Sequence, residues 1–123
     1  ISNPFKHFLF NIILKQNLNS MESVSKLLKK FKNNTQLIKG FSHDALKKIN
    51  ISEIDFIFLD GGHAYETVRE DLSLILKRIK KGKIIICDDY DQVNYGVKKA
   101  VDELKDQVTD IINLNGRLVK IIT

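Results

Sequence analysis

Cysteine is nearly absent from this 123-residue chain, with Cys87 as the single example. One thiol can build neither a disulfide framework nor a zinc site with paired-ligand spacing, and it suits a reducing, cytoplasmic setting. Long apolar runs are missing too. No stretch reaches the roughly 20 residues that cross a bilayer. The run from Phe8 to Leu14 is broken by Asn11 and has no small-residue cleavage site after it, so it does not read as a signal peptide. Repeats and low-complexity linkers are also absent, which leaves room for one domain around one core.

What is present is an ordinary globular composition, 43% hydrophobic, with heavy use of isoleucine. Disorder would need far fewer aliphatics. The net charge of +5 is unevenly placed. Up to Lys48 nine basic residues face Glu22 and Asp44 alone, whereas from Ile49 onward thirteen acidic residues outnumber eleven basic ones. A basic first third could attract nucleic acid. However, Lys26, Lys29, Lys30 and Lys32 have no aromatic residues among them to stack bases, and they read as the solvated face of a helix.

Periodicity then divides the chain. Pro4 suits the first turn of a helix in which Phe5, Phe8, Leu9, Ile12 and Ile13 repeat at helical spacing. Asn19 or Ser20 can cap a second helix whose stripe is Val24, Leu27, Leu28 and Phe31. Thr35 to Lys39 reads as a short strand stopped by Gly40, and Ser42 as the cap of a short helix carrying Ala45, Leu46 and Ile49. Ile54 to Leu59 and Lys83 to Cys87 are apolar runs typical of strands buried on both faces. Between them a helix from about Tyr65 to Lys80 turns Val68, Leu72, Ile75, Leu76 and Ile79 inward. A further helix is predicted from about Val93 to Lys105, then a hairpin, Thr109 to Leu114 and Arg117 to Ile122, around an Asn115-Gly116 turn of type I′. The alternation predicts an α/β fold with a mainly parallel sheet and a C-terminal antiparallel hairpin. Residues 1–34 are expected to form a helical lead-in to 35–123.

In such sheets ligands bind beyond the carboxyl ends of the strands. Three polar groups fall there: Gly40-Phe41-Ser42, Asp60-Gly61-Gly62-His63 and Asp88-Asp89-Tyr90. Adjacent strands lie about 4.8 Å apart, so neighbouring strands would bring Asp60, Asp88 and Asp89 close together, where like charges need a cation, a proton or open water. Each group also has a simpler role open to it. Asp60 can cap the next helix, Asp88-Asp89 can be a solvated turn, and His63 can be an exposed loop residue. Cys87 reads as a small core residue rather than a nucleophile.

Taken together, these residues resemble a known family. Asp55-Phe-Ile-Phe-Leu-Asp-Gly-Gly-His63, followed by Tyr65-Glu66 and Glu70-Asp71-Leu72, resembles the fourth strand and following helix of class I, Rossmann-like methyltransferases. The similarity is greatest to the small-molecule and sugar O-methyltransferase-like group, whose pattern is Asp-Phe-Ile-x-Ile-Asp-Gly-Asp-His-x-Tyr-Glu. It continues through Lys81-Gly82, Ile84-Ile85-Ile86, Asp88-Asp89-Tyr90 and Gly96 to Glu103, and upstream Ile38 to Ser42 looks like the third strand and adenine loop. Two positions depart from the pattern: Gly62 stands where the group often has a carboxylate, and Lys83 where it has a second glycine.

The resemblance implies transfer of a methyl group from S-adenosylmethionine to a hydroxyl of a small molecule or sugar. Asp60 or His63 would act as general base, and Gly40, Phe41, Ser42 and Asp60 would bind the cofactor. It also implies that Asp60, Asp88 and Asp89 hold a magnesium ion, as in metal-dependent relatives, and that Tyr90 lines the acceptor pocket. No membrane or nucleic-acid partner is expected, and a homo-oligomer is compatible with this reading. The family's glycine-rich loop and ribose-binding acidic residue have no counterpart before Thr35. The chain is therefore expected to be the C-terminal half of the fold, lacking the first βαβ portion. The alternative is a non-catalytic half-domain that works only with its missing half.

Overall fold

A computed structural model describes residues 18–123, so the helix expected from Pro4 lies outside the described residues. Helix α1 spans Leu18–Leu28 and runs into a 3-10 turn at Lys29–Phe31. It already contains Asn19 and Ser20, so neither is its cap. Its stripe is only half used: Val24 and Leu28 are partly covered, while Leu27 is 76% and Phe31 56% exposed. Lys26, Lys29, Lys30 and Lys32 are all exposed, as a solvated face requires.

Thr35 to Lys39 does not form the expected strand. A strand exists only through its ladder, and no described segment pairs with this one; Ile38 nevertheless packs against the core. Gly40, at φ +149°, leads into α2, Ser42–Lys48. Ser42 opens this helix but makes no capping hydrogen bond. Instead it is buried, as are Ala45, Leu46 and Ile49. The far end of α2 is tied down by Arg78, which donates to the carbonyls of Leu46 and Ile49.

The rest is an α/β body. Strand β1 is Phe56–Leu59, helix α3 Tyr65–Leu76, β2 Ile84–Cys87, α4 Val97–Asp102, β3 Asp110–Asn113 and β4 Val119–Ile122. The sheet order is β1-β2-β4-β3. β1 and β2 run parallel with Phe56 opposite Ile84, and β4 is antiparallel to both β2 and β3. The parallel part of the sheet is thus one pair, because Thr35 to Lys39 does not join it.

The centre of the sheet is the core. Ile85, Val119 and Ile121 are fully buried, and Leu72 and Ile75 of α3 and Ala100 and Val101 of α4 pack with them. β1 is covered less evenly than its sequence suggests, with Ile57 buried and its neighbours partly so, as befits a strand that among the described residues is paired on one side only. Cys87 is buried among these residues, and burial pushes its thiol up to about 12, so it is the core residue expected and not a nucleophile. No described helix is long and apolar enough to cross a membrane.

Two boundaries move in ways that shape the site. Helix α4 begins at Val97, four residues later than the pattern suggests. Val93 is almost wholly exposed, and residues 88–96 form a loop turned back by Gln92 N–H to Asp89 and Tyr95 N–H to Gln92 hydrogen bonds. The hairpin also has no tight type I′ turn: Gly116 has φ +88°, but Asn115 does not share the positive φ that this turn needs at both positions. Five residues, 114–118, connect the strands. Asn113 Oδ1 accepts from Gly116 N–H, and Asn115 Oδ1 accepts from the N–H groups of Arg117 and Leu118. Side-chain amides that mimic backbone turns have widened the loop.

Candidate functional site

The carboxyl ends of β1 and β2 lie side by side, because Leu59 pairs with Cys87. Each strand ends in an aspartate, and Asp89 follows at once. Asp60, Asp88 and Asp89 each present an oxygen, all within 4.8 Å of one another. The simpler roles do not hold. Asp60 is not the cap of α3, whose N-cap is Ala64 with no side-chain cap bond. Asp88 is not in a solvated turn either, being 7% exposed. Asp89 sits at φ +59°, alone among the described non-glycine residues in having positive φ. Such a backbone is uncommon for any side chain with a Cβ and recurs at functional sites.

His63 is also held in place. Its Nδ1 lies 3.2 Å from Asp89 Oδ2, and its ring stacks on Tyr95 at 4.3 Å between centroids with 9° between planes. The 88–96 loop is pinned to this histidine, because Gly96 N–H donates to the His63 carbonyl at 2.8 Å. Gly96 is needed there, since a Cβ would overlap the backbone of Tyr65. Gly62 is comparably tight, with an added Cβ 2.7 Å from Thr67 Cγ2, so a side chain at this departure from the family pattern would have to displace Thr67.

The wide hairpin loop supplies the group that sequence reading missed. Arg117 donates from Nε to Asp88 Oδ1 at 2.6 Å and from Nη2 to Asp88 Oδ2 at 2.8 Å, a two-pronged ion pair. Its carbonyl accepts from Tyr90 N–H, so the backbone fixes the guanidinium over the strand ends. The arginine holds the Asp88 carboxyl below its ordinary value, and the Asp89 N–H adds to this. Asp88 in turn, with Asp89 and Asp60 behind it, keeps the guanidinium charged. One signal could have found it: Arg117 is the only basic residue between Asp106 and Val119.

Beside the cluster opens a cleft of about 620 Å³ lined by Tyr90, Val93, Tyr95, Lys98, Lys99 and Glu103 among others. Tyr90 is buried and donates to Asp102 at 2.6 Å, and Lys98 bridges both. Of the cofactor residues expected from the resemblance, Ser42 is buried with its hydroxyl toward Asp71. Gly40 and Phe41 are exposed, and the Phe41 ring lies 6.0 Å from that of His43. None of this trio takes part in the contacts of the acidic cluster.

The donor set can be tested against a magnesium ion on its chemistry. Such an ion takes carboxylate oxygens at about 2.0–2.1 Å and keeps several waters. Here both Asp88 oxygens already accept from Arg117, Asp89 faces His63, and position 62 offers no side chain. The three oxygens lie close enough together to hold a cation, but in this arrangement Arg117 and His63 compete with one for two of the three carboxylates.

Comparison with known proteins places this geometry. A family model described as a methyltransferase domain matches residues 6–90. An uncharacterized protein, R132, of Acanthamoeba polyphaga mimivirus is 34% identical over 77 residues, covering 58% of this chain and 35% of the viral protein. Among solved structures, the TDP-rhamnose 3′-O-methyltransferase of calicheamicin biosynthesis superposes with a TM-score of 0.66 at 18% identity, over 87% of this chain and 54% of that one. The O-methyltransferase NovP does so with a TM-score of 0.63 at 18% identity, over 98% and 57%. The chain spans about a third of the viral relative and just over half of these two structures, whose likeness is one of fold.

Proposed function

The chain belongs to the methyltransferase-domain family, and from that membership we propose that it forms the acceptor side of an S-adenosylmethionine-dependent O-methyltransferase acting on a small molecule or sugar. The observation that carries this reading is the His63–Asp89 pair at the carboxyl ends of two parallel strands, with Tyr95, which stacks on His63, also lining the neighbouring cleft. Bound S-adenosylmethionine would supply a methyl group already activated on a sulfonium. The protein's work is then alignment and proton transfer. With Nδ1 directed at Asp89, His63 keeps its N–H on that nitrogen and leaves Nε2 free to take the acceptor hydroxyl's proton. The chain's own part would be to receive the acceptor hydroxyl's proton on His63 and hold it there while the acceptor is methylated. Tyr95 holds the imidazole plane by stacking. Asp60 is exposed at the end of β1 and is the second candidate for base or for cofactor contact. Phe41, 64% exposed, offers an aromatic face for adenine beside Gly40.

The test is transfer of labelled methyl from S-adenosylmethionine to a panel of sugar and phenol hydroxyls by the longest protein that contains this chain. His63→Ala and Asp89→Asn should abolish most of the signal. Label transfer that survives His63→Ala unchanged would remove the histidine from the reaction.

A second reading has its own observation. Among the described residues no strand followed by a glycine-rich turn precedes β1. On that reading these 123 residues alone bind the cofactor poorly, because the charge-assisted hydrogen bonds of such a loop, about 1.5–3 kcal/mol each, come from elsewhere. Calorimetry of the isolated chain decides it, and micromolar affinity would count against this reading.

A further inference from the structure

The acidic cluster has a cation of its own. Three carboxylates within 4.8 Å of one another would repel in a partly closed site, yet Asp88 is nearly buried and Asp89 adopts a costly backbone to stay beside it. What balances them is Arg117, carried in by the hairpin loop and locked by the Tyr90 N–H bond to its carbonyl. Both Asp88 oxygens accept from its planar fork, which matches a carboxylate as no point charge does. A divalent ion bridging Asp60, Asp88 and Asp89 would compete with Arg117 for the Asp88 oxygens.

We infer that Arg117 is the built-in counter-cation of this site, occupying the position a divalent ion would need, so that the chain manages its acceptor through His63 and Asp89 without a resident metal. The inference deepens the methyl-transfer reading and rests on it for the word acceptor; the exclusion of the ion stands on the ion pair alone. Arg117 is the residue that decides, because it is exposed along most of its side chain and only its head group is engaged. Removing it leaves the three carboxylates in place and uncompensated, which is the condition that recruits a cation.

The experiment is manganese binding by the 123-residue chain, followed by water-proton relaxation, with magnesium competition by calorimetry. Wild type should bind weakly. Arg117→Gln should bind about ten- to a hundredfold more tightly, the range expected when a charge-assisted pair no longer competes for the same oxygens. Arg117→Lys keeps the charge but loses the fork, and should show a smaller gain. The double variant Arg117→Gln, Asp88→Asn should lose the gain. Thermal melts establish that each variant is folded; if Arg117→Gln is not, Arg117→Lys decides alone. Wild-type binding as tight as the variants', or folded variants that bind no better than wild type, would overturn the inference. Neither result depends on methyl transfer, so failure here is distinct from failure of the functional reading.

Discussion

Helices α1 and α3 carry the same kind of signal and meet different fates. Each repeats apolar residues at three- and four-residue spacing. In α3 the stripe Val68, Leu72 and Ile75 is buried in the core, whereas Leu27 of α1 and Phe31 of the turn that follows it stand in solvent. Periodicity specifies which face of a helix is apolar, but the partner that covers it is a property of the rest of the chain. β1 and β2 repeat the contrast. β2 lies between two strands and buries Ile85 completely, while β1 pairs on one side only among the described residues. The site straddles that second contrast, at the ends of β1 and β2 and under the β3–β4 loop.

If that division is real, the largest effects belong to the body and the smallest to α1. In the active protein His63→Ala should lower kcat by about a hundred- to ten-thousandfold, the usual span for a positioned general base. Leu27→Ala should leave kcat as it is. A kcat loss from Leu27→Ala approaching that of His63→Ala would break the comparison. Stability should divide in the same way. Leu72→Ala opens a hole in the core and should cost about 2–5 kcal/mol in denaturant melts. Leu27→Ala touches solvent and should stay within about 0.5 kcal/mol. Between them lies Gly96→Ala, expected to cost about 1–3 kcal/mol because its methyl meets the Tyr65 backbone. It should also shift the pH dependence of kcat by loosening the loop that stacks Tyr95 on His63.

Much of this was legible from the sequence, and what was not has a physical pattern. The apolar runs gave away β1 and β2, and the polar residues just after them gave Asp60, Asp88 and Asp89 at adjoining strand ends. The Tyr65 helix was legible because Val68, Leu72 and Ile75 of its stripe are buried, although it ends at Leu76 rather than near Lys80 and leaves Ile79 in the turn beyond it. Thr35 to Lys39 looked like a strand locally, but strands need neighbours that composition does not announce. Tyr95, the late start of α4 and the placement of Arg117 were not legible for a shared reason. Asn115-Gly116 is the strongest local cue for a tight turn, and only Asn113 and Asn115 bonding back to the main chain show that the loop is wide enough to deliver an arginine. Gly96 likewise looks permissive in sequence, and only the approach of Tyr65 shows why no larger residue fits.

The smallest effect concerns two buried carboxylates that should respond to pH in opposite directions. Asp71 lies on the covered face of α3, with one oxygen unpartnered and Ser42 beside the other. Burial raises its carboxyl above the ordinary 3.8, and Glu70 adds to this, while Ser42 and His43 pull the other way. A group whose folded value is raised contributes fully below its unfolded value and loses that contribution as pH climbs through the folded one. Asp88 is the reverse: with Arg117 holding it down, its contribution is present above 3.8 and lost as pH falls through its folded value. Asp71→Asn should therefore leave the melting temperature unchanged in acid and raise it progressively above pH 3.8, because the variant no longer buries a charge. Asp88→Asn should destabilise near neutrality, by an amount reduced because Arg117 is largely exposed, and converge on wild type in acid. Melting temperatures across the acid range read both slopes in one experiment. Parallel curves for Asp71→Asn and wild type would show that Ser42 and His43 already compensate the buried charge.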